Sequence, residues 1–243
     1  MCAMPSLAAA VAPAPVSTIA DAIGVMQAID QALPEADGLK WFNVMYLAVT
    51  EAIEEAVVAG NVFSDDAWVV YLDVAFANLY FGTVAGSLGG AIPVPPAWQP
   101  VFDTRLDPHV ARIQHALAGM NAHVNRDLVW ALVETHAGMG TTPDRGSVQF
   151  QDFKIVDAIL ASVESQVKPL LLTGVLPALD GTLGPLDDVL AMWSVVRARE
   201  AAWINSDVLW SLGALAFLRA SFLEALDRTT GFAGRGLLLP TQL

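Results

Sequence analysis

The chain has 243 residues, 55% of them hydrophobic and only 15% charged, with a formal net charge of −13 from 25 acidic against 12 basic residues. That length suits one large domain with a sizeable core, and a charged share well under the typical ~25% requires several helices to be apolar almost all round, buried centrally or at an oligomer interface. The acidic balance argues against nucleic acid or an anionic membrane surface as partner, and a single cysteine, Cys2, excludes an internal disulfide and any cysteine-based metal cluster.

Absence of disulfides suits a reducing compartment, so the expected location is the cytoplasm. Residues 1–16 are small and apolar but lack a basic start and are broken by Pro5, Pro13 and Pro15. They read as a flexible leader rather than a signal sequence. Elsewhere Asp73, Pro177 or Arg219 interrupts the longest apolar segments, and no membrane span is expected.

Ser17 or Thr18 caps a first helix that runs to about Ala32 and is ended by Pro34 and Gly38. A second begins near Leu39 and stops at Gly60; its early part is apolar on all sides, so Tyr46 and Thr50, four apart, face something inside. Glu51, Glu54 and Glu55 read as its solvated end. Asp65 and Asp66 open a third helix, in which Asp73 is the only charge between Ala67 and Phe81 and shares a stripe with Val69, Phe76 and Tyr80. A buried carboxylate is costly unless paired, hydrogen-bonded or protonated. Asp73 therefore needs a partner, with Arg126 and Arg199 as candidates, or else serves a site.

Residues 86–100, rich in glycine and proline and carrying Trp98, read as a loop of lid character. Asp107 and Pro108 then signal the start of a long central helix over 107–136, with apolar residues from Val110 to Leu132 at spacings of three and four. Gly119 within it marks a close packing contact or a kink. After a loop over 138–147, a helix runs from about Phe150 to Leu172, with Asp152 near its start as a cap or a catalytic group. Residues 172–185 form a turn-rich break. The last third is helical and broken near Asn205 to Asp207, with Arg197, Arg199 and Glu200 among Trp193, Trp203 and Trp210. Those arginines either pack on the tryptophans or meet Asp73 or Asp127. The expected architecture is an all-α, single-domain bundle of about seven or eight helices. It spans residues 17–230 with a C-terminal tail at 231–243, and is expected to form a homodimer because so much apolar surface must be covered.

All four histidines, His109, His115, His123 and His136, fall in the central helix. At about 1.5 Å per residue, His123 and Asp127 lie about 6 Å apart along one face and can share a substrate or an ion. His115 and His123 are about 12 Å apart by the same rise. The four cannot form one site.

The segments FNVMYLAVTEAI (42–53), YLDVAFANLYF (71–81), PAWQPVF (96–102), ALAGMNAHVNRDLVWALV (116–133) and RAREAAW (197–203) resemble a bacterial family of helical proteins known as a domain of unknown function, family 5995. The resemblance covers roughly residues 40–205, and GMNAHVNRDL is its most specific part. It implies a shared helical architecture, directs attention to Asn121, His123, Asn125 and Asp127, and supplies no mechanism.

Three functional readings stand. In the first, the protein is an enzyme for a hydrophobic small molecule in an interhelical pocket, with no cofactor, by cyclisation, isomerisation or hydrolysis. His123 is the general acid or base, Asp127 or Asp73 orients it, Asn121 and Asn125 hold an oxyanion or hydroxyl, and Tyr46, Thr50, Tyr80, Trp98 and Arg199 bind substrate. In the second, His123, Asp127 and Asp73 bind zinc or non-heme iron, with His115 or Glu51 completing the shell, although HxxxD spacing is a weak signal. In the third, the polar residues form a structural network in a non-catalytic module that binds an apolar ligand.

Overall fold

Six of the described helices begin where a side chain satisfies a backbone N–H group that the first turn leaves free. In the computed structural model, which describes residues 5–172 and 194–240, Ser6 accepts from Ala9 N–H to start α1 (Leu7–Val11). Thr18 starts α2 (Ile19–Ala32) and Asp37 starts α3 (Gly38–Ala59), which ends on Gly60 at φ 68°. Asp65 starts α4 (Asp66–Ser87), and α5 (Gln99–Thr104) follows the loop. The central helix comprises α6 (Arg112–Ala122), a π-helical turn (His123–Asp127) and α7 (Leu128–Met139). Ser147 starts α8 (Val148–Leu171), Ser194 starts α9 (Val195–Ser211), and α10 (Ala216–Leu237) closes the order. Among the described residues there are ten α-helices, eight of them of seven residues or more, and no strand, so the fold is all-α as the periodicity predicts.

The central helix is the axis of the bundle, with α3 and α10 packed on α6 and with α4 and α9 packed on α7. Its core is aromatic: Phe42, Trp68, Tyr80, Trp98 and Trp203 are fully buried. By length and composition α4 is long and apolar enough to cross a membrane, and half of its most apolar stretch is buried within the bundle.

Several boundaries differ from expectation. The central helix starts at Arg112, not Asp107, because the Asp107 carboxylate accepts from His109 N–H and closes a separate turn, while Gln114 Oε1 accepts from Ala111 N–H. The break in the last third falls at Gly213, the residue there with positive φ (51°), whereas Ser206 donates to the Trp203 carbonyl inside an unbroken helix. Asp152 does not cap its own helix; it is buried and accepts from Ser64 N–H at 2.9 Å and Asp65 N–H at 2.8 Å, tying α8 to the start of α4. Nor are residues 5–16 loose. Ala10 and Val11 are buried, and Val16 exchanges two hydrogen bonds with the Asn78 side chain. The 231–240 segment is likewise integral, since Gln114 Nε2 donates to the Leu237 and Leu239 carbonyls. Trp193 and nearly all of the 172–185 break lie outside the described residues.

At Gly119 the central helix packs closely on α3: a β-carbon there would stand 2.5 Å from Phe42 Cγ and 2.6 Å from Phe42 Cβ and Cδ2. Alanine would gain about 1 kcal/mol of helix propensity, but forcing a buried ring aside costs about 1–3 kcal/mol. Gly119→Ala is therefore expected to lower the urea midpoint at unchanged far-UV circular dichroism; a raised midpoint would show that the contact is slack.

Candidate active site

The π-helical turn falls on HVNRD, the most polar part of the central helix, and Leu128 N–H reaches back to the His123 carbonyl across it. Such widened turns recur at functional sites. Within it the His123 Nδ1 and Asp127 Oδ2 atoms are 2.9 Å apart, both side chains fully buried. Asp127 Oδ2 also accepts from Trp98 Nε1 at 2.8 Å, and Oδ1 accepts from Arg126 Nη1 at 2.7 Å. Burial alone would raise the Asp127 carboxyl, but His123 and Arg126 outweigh it and hold it below the usual carboxylate range. An ionised Asp127 requires the donor at Nδ1, so the His123 Nε2 atom carries the lone pair. Burial also lowers the His123 pKa and keeps the ring neutral, against the opposing pull of Asp127.

The ring is fixed on its faces as well. Phe76 of α4 stacks on it at 3.5 Å between centroids and 5°, and Tyr46 of α3 meets it at 4.5 Å and 67°. His123 Nε2 makes no hydrogen bond, although it is buried. The His123 residue lines a cavity of about 50 Å³ whose wall also includes Tyr46, Asp73, Phe76, Leu72 and Val124. The Tyr46 hydroxyl and Asp73 Oδ2 are buried without a hydrogen bond too. Three residues that each carry a buried, unpaired polar atom, from α3, α4 and the π turn, thus line one largely apolar space. Burial, and then the charge of Glu54, pushes the Asp73 carboxyl up to about 7. Burial, and then the charges of Asp73 and Asp127, pushes the Tyr46 phenol well above its usual value.

Beside this cavity lies a larger chamber of about 190 Å³, lined by Met45, Ile113, Leu117 and Leu171 among others. The two share Val49, Met120, Leu160 and Val195. The chamber reaches the surface at Lys168, Ser194 and Val196, which are exposed.

The other expected site residues are placed elsewhere. Asp73 does not meet Arg126 or Arg199: Arg126 is held by Asp127 and Asp227, and Arg199 by Asp157 at 2.8 Å and the Phe153 carbonyl at 2.7 Å, with its guanidinium 3.9 Å over the Phe153 ring. Arg199 borders the cavity with its Nε and Nη2 engaged by Asp157 and the Phe153 carbonyl. Asn121 and Asn125 are engaged with each other and with the last helix: Asn121 donates to the Thr230 carbonyl and accepts from Asn125, which ties the π turn to α10. Thr50 donates to the Tyr46 carbonyl, and Tyr80 donates to Asn43 at 3.2 Å. Trp98, expected on a lid, is an anchor: it is fully buried and spends its N–H on Asp127.

His123 and Asp127 point at each other rather than at a common ion, since one nitrogen and one oxygen are joined by their own hydrogen bond. His115 packs against Gly38 with its pKa lowered by burial to about 4, and Glu51 accepts from Gln27. Among the described residues no three His, Cys, Asp or Glu side chains are gathered as a metal centre. Sequence reasoning missed Phe76, Met120 and Leu160 as site residues; Phe76 was signalled by its place on the Asp73 stripe, while Leu160 on α8 had no local mark.

Removing Asp127 leaves an indole N–H and an imidazole N–H unpaired in the interior and takes from the Arg126 guanidinium one of its two carboxylate partners, Asp227 remaining. Asp127→Ala is expected to lower unfolding free energy by about 3–5 kcal/mol, read by urea titration, and a loss under ~1 kcal/mol would contradict this role. Asp73 has the opposite sign. Its carboxyl titrates at about 7 when folded and near ~4 when unfolded, so the native state holds the proton more tightly. Wild-type stability is then lost as pH rises through that window, and levels off above it. Asp73→Asn should match wild type near ~pH 4 and become progressively more stable than it up to ~pH 7; a difference independent of pH would refute the raised carboxyl.

No curated protein and no solved structure gives a match to the chain. A family model does match, over residues 19–240, which extends the likeness from the central segments through nearly all of the bundle. The chain belongs to the family of unknown function DUF5995.

Proposed function

We propose that the protein is an enzyme that acts on a hydrophobic small molecule by acid–base chemistry centred on His123. One observation carries this reading: His123, Tyr46 and Asp73 line the same cavity, and each has a polar atom, Nε2, the hydroxyl and Oδ2, that is buried and unpaired. Buried polar atoms are ordinarily paired, and each left unpaired costs about 1–3 kcal/mol. Three on one wall are a departure from that rule which a substrate's polar group would resolve.

The roles follow from the hydrogen bonds. Asp127 fixes the tautomer and would stabilise the imidazolium formed when Nε2 takes a proton; Trp98 and Arg126 hold Asp127 in turn. Asp73 and Tyr46 supply hydroxyl groups beside His123. The apolar chamber next door receives the rest of the substrate. Cyclisation, isomerisation and hydrolysis all fit this set, and none of these roles calls on a cofactor.

A panel of hydrophobic ketones, esters, epoxides and polyenes, followed by mass spectrometry, tests the reading. His123→Ala is expected to keep the helical circular dichroism signal and to lower turnover of any accepted compound by ~100-fold or more. Equal turnover by the variant would overturn acid–base catalysis at His123 and leave a module that binds apolar ligands.

A further inference from the structure

We propose that the site is built for an apolar, enolisable carbonyl compound: His123 Nε2 removes a proton from the carbon beside the carbonyl, while the Tyr46 hydroxyl and the Asp73 carboxylic acid hold its oxygen. This rests on the acid–base reading above and narrows it to one substrate class.

The argument is a count of donors and acceptors. His123 Nδ1–H is committed to Asp127, so the ring that lines the cavity keeps one unpaired lone pair, at Nε2. The Tyr46 hydroxyl has a proton and no acceptor. Asp73 Oδ2 meets no donor, so within the cavity it is favourable only as the protonated acid. Burial and the Glu54 charge favour that form, with the carboxyl pushed up to about 7. The result is one base and two O–H donors in a space whose other lining is hydrocarbon apart from Arg199. A carbonyl with an adjacent C–H bond needs this set: a base at carbon and donors at oxygen. A neutral carboxylic acid beside a phenol is an effective cradle for an enolate oxygen.

The cations argue in the same direction. A carboxylate or phosphate substrate would need a free guanidinium or ammonium at the cavity. Arg199 is the basic side chain that borders it, and both Asp157 and the Phe153 carbonyl already occupy it. Size sets the rest of the molecule. The cavity of about 50 Å³ admits only the reacting atoms, whereas the chamber of about 190 Å³ exceeds the ~150 Å³ apolar cavity that holds benzene. A ring system of about ten carbons fits the two together.

The step balances without a further reactant. The C–H bond breaks; its electron pair forms the C=C bond of the enolate, the carbonyl π pair moves to oxygen, and the proton resides on Nε2. The positive ring faces the Asp127 carboxylate. The proton then returns from Nε2 to the same carbon, giving exchange with solvent, or to the far end of a conjugated system, giving a shifted double bond.

The test uses 2-tetralone as substrate, 2-naphthol as a stable mimic of its enol, and naphthalene as the same skeleton without oxygen. In D₂O the protein is expected to speed deuterium uptake at the activated carbon of 2-tetralone, followed by NMR, and His123→Ala to return it to the buffer rate. Calorimetry should show 2-naphthol bound about tenfold or more tighter than naphthalene, with the preference reduced several-fold in Tyr46→Phe and in Asp73→Leu. Both variants remove an unpaired polar atom, so both should fold, and His123→Ala should keep the preference within about threefold. Exchange at the buffer rate together with equal binding of 2-naphthol and naphthalene would overturn the enolate site. If esters or epoxides are nevertheless turned over in a His123-dependent way, the enolisation proposal alone falls; if nothing in the wider panel depends on His123, the acid–base reading falls with it.

Discussion

The Asp127 carboxylate is fully buried, and a charge in that position persists only if every lone pair is answered. Three donors answer it, and each comes from a part of the chain that must then be in place: Trp98 from the loop before α5, Arg126 from the π turn, and His123 from one turn back. Arg126 passes the constraint on to Asp227 of α10 at 3.2 Å. A glycine-rich connection, the central helix and the last helix are thereby tied at one point. The orientation of His123 is a product of that junction, because a ring free to flip would present either nitrogen to the cavity.

Polar groups in this interior fall into two populations. Asn43, Asn121, Asp152 and Arg199 lie in the core with side-chain hydrogen bonds to other elements, and they join helices. His123 Nε2, Tyr46 and Asp73 are left incomplete within a few ångströms of aromatic rings. The first population stabilises one arrangement of helices. The second destabilises it, and proteins keep such groups where a ligand compensates for them. A second set of incomplete atoms, His136 Nε2 with the indoles of Trp68 and Trp203, is packed ring against ring at 5.5–6.2 Å.

The helices were legible because their signals are local. Capping residues such as Thr18, Asp37 and Asp65 and stops such as Gly60 stand in the sequence within one turn of the boundary they set. His123 and Asp127 were legible as a pair from their spacing, and Asp73 from its isolation in an apolar helix. Partners were not. That Arg199 turns to Asp157 instead of Asp73, or that Asp152 reaches across to the start of α4, depends on the relative placement of elements far apart in the chain. The candidate ligands Asn121, Asn125, Thr50 and Tyr80 looked like site residues for the same reason: type and position along a helix do not say which side faces α10, a carbonyl or a cavity. The π turn left no mark either, since HVNRD is compatible with an ordinary helix.

That turn also makes length a determinant of the structure. A π turn differs from an α turn by about one residue, and each residue of an α-helix advances it by about 100°. A chain shorter by one between His123 and Asp127 would close into regular helix and swing α7 by that angle. Val129, Leu132 and His136, all buried where α7 meets α4 and α9, would face the wrong way although every one of them was still present. The number of residues between Gly119 and His136 is therefore itself a structural element, and no substitution can supply it.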